Sequence, residues 1–198
     1  MKFHLLFICF FISFASRSQT PSELDFVGIN GKLSSDKSII YGNFIQRLGF
    51  SSGGFPQSIS IVNLETNESY VFIVKPAMKT SKENKFCYYI KPGHYAIVNY
   101  IWYKSKMYGA EIFTEPIIKG IDTSTDEFKE KVKKGEIKEE DLIMFTFKIE
   151  PNSLNYLGTW HFNTGLVKFT DDKIDFDAKL KTKYPGIDFN NSITNLPE

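Results

Sequence analysis

Residues 85–104, KFCYYIKPGHYAIVNYIWYK, decide how this chain is read. Two runs dense in aromatic and β-branched side chains flank a single Pro92-Gly93 pair. Proline presets φ and glycine admits a positive φ, so the pair reads as a tight turn and the stretch as a β-hairpin. In the first run Phe86, Tyr88 and Ile90 share a face. In the second, Tyr95, Ile97, Asn99 and Ile101 share one face, with Ala96, Val98, Tyr100 and Trp102 on the other. Both faces are apolar, as in a strand covered on two sides or one bearing an exposed aromatic patch.

Strand signals continue outward on both sides. Upstream, Leu24 to Gly28 reads as a weak strand before an Asn30-Gly31 turn. Ser38 to Leu48 alternates Ile39, Tyr41, Asn43 and Ile45 against Ile40, Gly42 and Phe44; its interior glycine predicts a bulge or a close backbone approach. Ser58 to Leu64 and Ser69 to Val74 are joined by Glu65-Thr66-Asn67-Glu68, a connection of hairpin length. Downstream, Met107 to Phe113 is stopped by Glu115-Pro116. Ile143, Phe145, Phe147 and Ile149 alternate with polar or flexible residues, the cleanest period-2 segment in the chain. Leu154, Tyr156, Gly158, Trp160 and Phe162 follow, then Leu166 to Thr170.

Two segments break the β rhythm. Residues 120–142 are highly charged, and Ser124-Thr125-Asp126-Glu127 reads as a capping box with Ser124 as N-cap. It opens a helix from Thr125 to Lys134, with Phe128 and Val132 on one face and Gly135 as the stop. This insertion either covers a sheet edge or serves as a partner-binding arm. Asp171-Asp172 opens a short helix through Lys183, and the polar tail to Glu198 reads as loose. The expected fold is mainly β: an antiparallel β-sandwich, Ig-like or transthyretin-like, with one inserted helix and a short C-terminal helix. Residues 19–198 form a single domain, and no βαβ rhythm of a nucleotide-binding sheet is present.

Bulk properties narrow the class. The net charge of +1 supplies no field to recruit nucleic acid, and no basic stripe stands in its place. Residues 1–18 read as a signal peptide: Met1-Lys2 gives the basic start, Leu5 to Phe14 the apolar run, and Ser16 and Ser18 the small residues before cleavage ahead of Gln19. No later stretch reaches transmembrane length. The expectation is export, to a periplasmic, cell-surface or extracellular location. Cys9 leaves with the leader, so Cys87 remains alone mid-strand, as a small buried hydrophobe with no disulfide to form.

Site chemistry is sparse. His94 and His161 lie outside any His-x-His or His-Glu-x-x-His spacing, so no metal is expected. No Gly-x-Ser-x-Gly elbow exists. Ser51-Ser52-Gly53-Gly54 lacks the Lys-Ser/Thr of a phosphate cradle, and no cofactor is expected. Asp171, Asp172, Asp175 and Asp177 cluster without the calcium-loop pattern and read as helix capping and solvation. Tyr100, Trp102, Tyr103 and Tyr108 are the candidate binding residues, rings that stack on sugars or anchor a protein when exposed. The expected function is a non-enzymatic binding or structural domain of the cell envelope, its partner an envelope protein or glycan. The alternative is a secreted hydrolase of glycan or peptide, with a carboxylate or His161 at its site.

The stretch Phe86 to Tyr95, with its strand, Pro-Gly and x-Tyr order, resembles the hairpin of transthyretin-like and carboxypeptidase-regulatory-like domains. Together with Phe147-Lys148-Ile149-Glu150-Pro151 and Tyr156-Leu157-Gly158-Thr159, it is similar to a loose group of bacterial envelope proteins, many of them lipoproteins. The resemblance covers about a third of the chain and implies a β-domain in the envelope, with no functional residue carried over. Ile8 before Cys9 departs from the small residue of a lipoprotein signal.

Overall fold

The computed structural model describes residues 20–47, 54–138 and 142–198. The expected leader, Cys9 included, and residues 51–53 of the Ser-Gly loop lie outside the described residues. The chain is mainly β, with eleven strands and two helices among the described residues. The strands are β1 (Ser22–Glu23), β2 (Ser38–Ile45), β3 (Gln57–Asn63), β4 (Ser69–Lys75), β5 (Glu83–Ile90), β6 (Gly93–Ser105), β7 (Ala110–Pro116), β8 (Phe145–Ile149), β9 (Leu154–His161), β10 (Lys168–Thr170) and β11 (Ile193–Thr194). Helix α1 (Asp126–Lys133) falls between β7 and β8, and α2 (Lys173–Lys181) follows β10.

Two sheets face each other. One runs β1-β4-β3-β6-β7, with β8 alongside the first half of β6; the other runs β10-β9-β2-β5, with β11 on β9. Side chains from both meet in one core that includes Phe72, Tyr95 and Phe147 from the first sheet and Phe44, Phe86 and Trp160 from the second. Ring contacts of Phe72 with Phe86 and Trp160, at 5.6 and 6.0 Å, join the layers. The sandwich expected from the strand pattern is therefore present, with its inserted and C-terminal helices. Both sheets are mixed: β1 with β4, β2 with β9 and β9 with β11 run parallel.

Residues 85–104 do not form a hairpin. β5 pairs with β2 in one sheet, while β6 pairs with β3, β7 and β8 in the other. The Pro92-Gly93 turn is an arch that carries the chain across the core from sheet to sheet. Gly93 takes φ +153°, and a side chain there would run into Asn63. Two apolar-faced strands satisfy the same sequence pattern whether they pair edge to edge or stack face to face.

Two bulges reset the side-chain alternation. In β6 the register against β3 shifts at Val98, so Tyr95 and Ile97 before it and Tyr100 after it all face the core. Trp102 therefore shares the side of Tyr95 and Ile97. In β9 the register against β2 slips opposite Gly42, where Gly158 takes φ +88°. Leu154 and Tyr156 face outward from the sandwich, while Leu157, Trp160 and Phe162 face in. Gly42 fulfils the expected close approach: a Cβ there would lie 2.6 Å from the Gly158 carbonyl oxygen and from the Phe86 ring.

The outward side of the second sheet holds another apolar cluster. Ile39, Tyr41 and Tyr156 pack beneath Phe176 and Leu180 of α2 and Phe189 of the tail. The tail is thus anchored where looseness was expected. Phe189 is fully buried, β11 adds to β9, and Glu198 exchanges two backbone hydrogen bonds with Thr146. Beneath α2, Asp177 accepts from the Tyr41 hydroxyl at 2.7 Å and from Lys173 Nζ at 2.9 Å. Burial pushes the Tyr41 phenol upward, so it stays a donor. At the N-terminus, β1 lies on β4, and the next residues cross to bond β5 through Val27 and Tyr89.

Candidate functional site

β6 has thirteen residues, whereas β2, β5 and β9 opposite it have eight each. Its second half pairs with β7, setting Trp102 opposite Phe113 and Tyr100 opposite Glu115. Trp102 and Phe113 stack with ring centroids 4.3 Å apart and planes 10° from parallel. β7 ends at Pro116, as expected, and the charged insertion begins. Its base is fixed at several points: Ile117 N–H donates to the Val98 carbonyl at the bulge, and Lys119 N–H donates to the Ile143 carbonyl at 2.7 Å. The Thr123 hydroxyl donates to the Pro116 carbonyl at 2.7 Å. Asp122 lies against Gly165 and binds the Ser124 amide and hydroxyl.

That last contact shifts the helix cap. Ser124 is engaged by Asp122, so the N-cap is Thr125, whose hydroxyl accepts from Phe128 N–H at 3.2 Å. Glu127, the expected reciprocal partner in a capping box, pairs instead with Lys131 at 2.7 Å. The stop is as expected: Gly135 takes φ +68° and Glu136 N–H returns to the Lys131 carbonyl. Helix α1 buries none of its residues, and Val132 stays 52% exposed.

Between α1 and the overhanging β6–β7 face lies a cavity of about 990 Å³. Trp102, Phe113, Ile118, Phe128 and Val132 supply apolar walls. Arg47, just beyond β2, reaches in and donates to Glu115 at 2.6 Å; both side chains are about four-fifths buried. The other Glu115 oxygen accepts from Trp102 Nε1–H at 3.0 Å. Below the pair, the Arg47 guanidinium lies 6.0 Å from the centre of the Tyr100 ring. Tyr100 donates to Gln57 at 2.5 Å, and Gln57 donates to Gln46 at 2.8 Å. Burial raises the Tyr100 pKa, so this phenol remains neutral.

The four candidate aromatics separate. Trp102 lines the cavity, and Tyr100 lies beneath it with 1% of its surface exposed. Tyr103 points to the other side of β6 and stacks on Phe55 at 5.7 Å. Tyr108 is 93% exposed in the β6–β7 turn beside Met107. Sequence reasoning missed Arg47 and Glu115, because an inward-facing charge at a strand end leaves no periodic signature. The Phe128/Val132 stripe was visible at its i, i+4 spacing.

A second, polar cleft of about 300 Å³ lies between α2 and the outer face of the second sheet, lined by residues including His161, Asp172 and Asp175. Here Thr170 donates to Asp172 at 2.8 Å, which leaves its lone pair to accept from His161 Nε2 at 2.8 Å. A nucleophilic hydroxyl needs its proton accepted by the imidazole, and this chain runs the other way. The four aspartates disperse. Asp171 accepts from Lys173 N–H at 3.0 Å, Asp172 from Thr170, and Asp177 is buried under Tyr41, while Asp175 lines the cleft. His94 lies half-buried on β6, opposite Lys148. Burial pushes the Cys87 thiol up to about 12, which makes it inert at neutral pH. Among the described residues, no group of three or more His, Cys, Asp and Glu side chains is placed to hold a metal ion. No helix among them is long and apolar enough to cross a membrane.

No family model matches this chain, and no curated protein does. Among solved structures, a leucine-rich repeat protein from Bacteroides thetaiotaomicron VPI-5482 aligns at 10% identity, over 75% of this chain and 16% of that one. Its TM-score of 0.36 supports no assignment of fold or function.

Proposed function

We propose that this protein is an exported, non-enzymatic binding domain of the cell envelope, and that a small apolar ligand occupies the space between α1 and the β6–β7 face. One observation carries the reading: two apolar surfaces, Trp102/Phe113 on the sheet and Phe128/Val132 on α1, line one cavity of about 990 Å³. The volume is at the upper end of the roughly 300–1,000 Å³ typical of ligand sites. Export rests on the basic start, apolar run and small-residue exit of residues 1–18.

Of the ligands weighed from sequence, a glycan suits this cavity poorly. A stacked sugar needs hydrogen-bond partners for its hydroxyls beside the ring. Here Glu115, the carboxylate that binds Trp102, is already committed to Arg47 and to the indole itself. An apolar chain uses what the walls offer.

Titration with N-phenyl-1-naphthylamine, an uncharged apolar fluorophore, tests the reading. The expected result is a saturable rise in emission at one site per chain, abolished by Val132→Asp, which places a carboxylate on the cavity side of an exposed helix. Thermal unfolding of Val132→Asp should match the parent, since Val132 is half exposed. Absence of saturable binding by the parent protein would overturn the proposal.

A further inference from the structure

We infer that the ligand is a single-chain amphiphile with an anionic head, its chain between the aromatic wall and α1 and its head beside Lys104 and Lys129. This rests on the reading of the cavity as a ligand site and adds the ligand's charge.

The inference comes from the charges that line the cavity. Among the described residues that line it there are three cations, Arg47, Lys104 and Lys129, against one carboxylate, Glu115. Arg47 and Glu115 neutralise each other at 2.6 Å. The two lysines are not offset in this way. Glu111, opposite Lys104 across the β6–β7 ladder, is engaged by Lys106 at 2.7 Å, and no ion pair holds Lys104 among the described residues. Among the described residues Lys129 reaches only Asp126, at 3.4 Å, and that carboxylate is 99% exposed. A contact of that length in open water holds a lysine weakly.

An apolar cavity with surplus positive charge on its lining discriminates by head group. An anionic head gains the two lysines, whereas a cationic head of equal chain length meets repulsion close to low-dielectric walls. The Trp102 and Phe113 rings suit a flexible methylene chain, which packs on aromatic faces without polar partners. Placement between α1 and the sheet fits one chain lying in a slot.

The test is competition against N-phenyl-1-naphthylamine on the purified protein, at physiological ionic strength and below the micellar range. The competitors are dodecanoate and dodecyltrimethylammonium, which share a chain length and differ in head charge. Dodecanoate should displace the fluorophore at about tenfold lower concentration, the scale of two partly screened lysine contacts. In Lys104→Gln/Lys129→Gln, the ratio between the two competitors should fall towards one. Because both are read in the same protein, that ratio cancels any general change in the cavity. Equal displacement by both heads in the parent, or a preference that survives the double substitution, overturns the inference and leaves the apolar site standing. No saturable fluorophore binding overturns the site itself.

Discussion

The Arg47–Glu115 pair provides a sharp test of how the cavity wall is held. Each side chain is about four-fifths buried, the contact is 2.6 Å, and Glu115 also fixes the Trp102 indole at 3.0 Å. Glu115→Gln keeps an acceptor for the indole and removes only the charge, leaving the Arg47 guanidinium without its counter-ion. A fully buried pair broken from one side loses about 3–5 kcal/mol. Partial exposure lets water screen the orphaned charge, so about 1–2 kcal/mol is expected here. Arg47→Met keeps the aliphatic cover over Tyr100 and strands Glu115 instead, with a similar loss. The double variant leaves no orphaned charge, so its loss should be smaller than the sum by about 1 kcal/mol or more. Urea unfolding followed by intrinsic fluorescence measures this. With a slope of about 2 kcal/mol per molar, each single variant lowers the midpoint by roughly 0.5–1 M, and the double variant by little more than either. Additivity within about 0.3 kcal/mol would refute the argument, since it would mean the two side chains act independently.

Other expectations follow from single contacts. Gly165→Ala places a methyl group where the Asp122 carboxylate lies and should loosen the base of the insertion. Trypsin cleavage at Lys129 to Lys134 should then quicken, and an unchanged rate would remove Asp122 as an anchor. Lys75 is fully buried, donates to the Phe55 carbonyl at 2.6 Å, and has no ion pair among the described residues. Burial lowers its pKa, so the unfolded chain keeps the proton to about pH 10.4 while the folded chain releases it sooner. Stability from this residue therefore rises with pH across that interval and is least below it. Lys75→Met should be more stable than the parent at pH 7 by about 1 kcal/mol, with the gap closing above pH 10; a Met variant clearly less stable at pH 7 would show that the Phe55 bond outweighs desolvation. Cys87, its thiol pushed up to about 12, should resist Ellman's reagent at pH 8 until urea unfolds the sheet, and reaction in the native protein would contradict its burial.

How much was legible depended on whether an element used both of its faces. β8 was plain because Phe145, Phe147 and Ile149 point inward while Thr146 and Lys148 do not. The mainly β class and both helices followed from such patterns and from caps. Residues 85–104 misled because both faces are apolar, so pairing partners cannot be read from alternation. The Val98 bulge made this worse: with no glycine or proline to mark it, it moved Tyr100 and Trp102 to the side of Tyr95 and Ile97. The β9 bulge did carry a mark, Gly158, which sat unnoticed within a run read as regular. The tail was read by its polar majority, although Ile187 and Phe189 are what bury it. Of the site, Trp102 and the Phe128/Val132 stripe were visible separately. Their meeting depends on the overhang of β6, a property of two sheets at once and of no local window.

On the proposed reading, that overhang lets one insertion both cover the sheet and hold a ligand. β6 has five residues more than the eight-residue strands of the second sheet, about 16 Å of chain. Trp102 lies in its second half, opposite Phe113, and a structural cover would press α1 onto them until the gap closed, because interiors pack densely and voids are costly. Instead the insertion is pinned at its base by Lys119, Thr123 and Asp122, while the helix itself stands off. Its stability comes from local devices: a Thr125 cap, the Lys131–Glu127 and Lys133–Glu130 pairs, and a glycine stop. Such a helix does not need to bury its apolar stripe in the protein to remain formed. The stripe is then available to something else, and the surface that it faces is the aromatic pair.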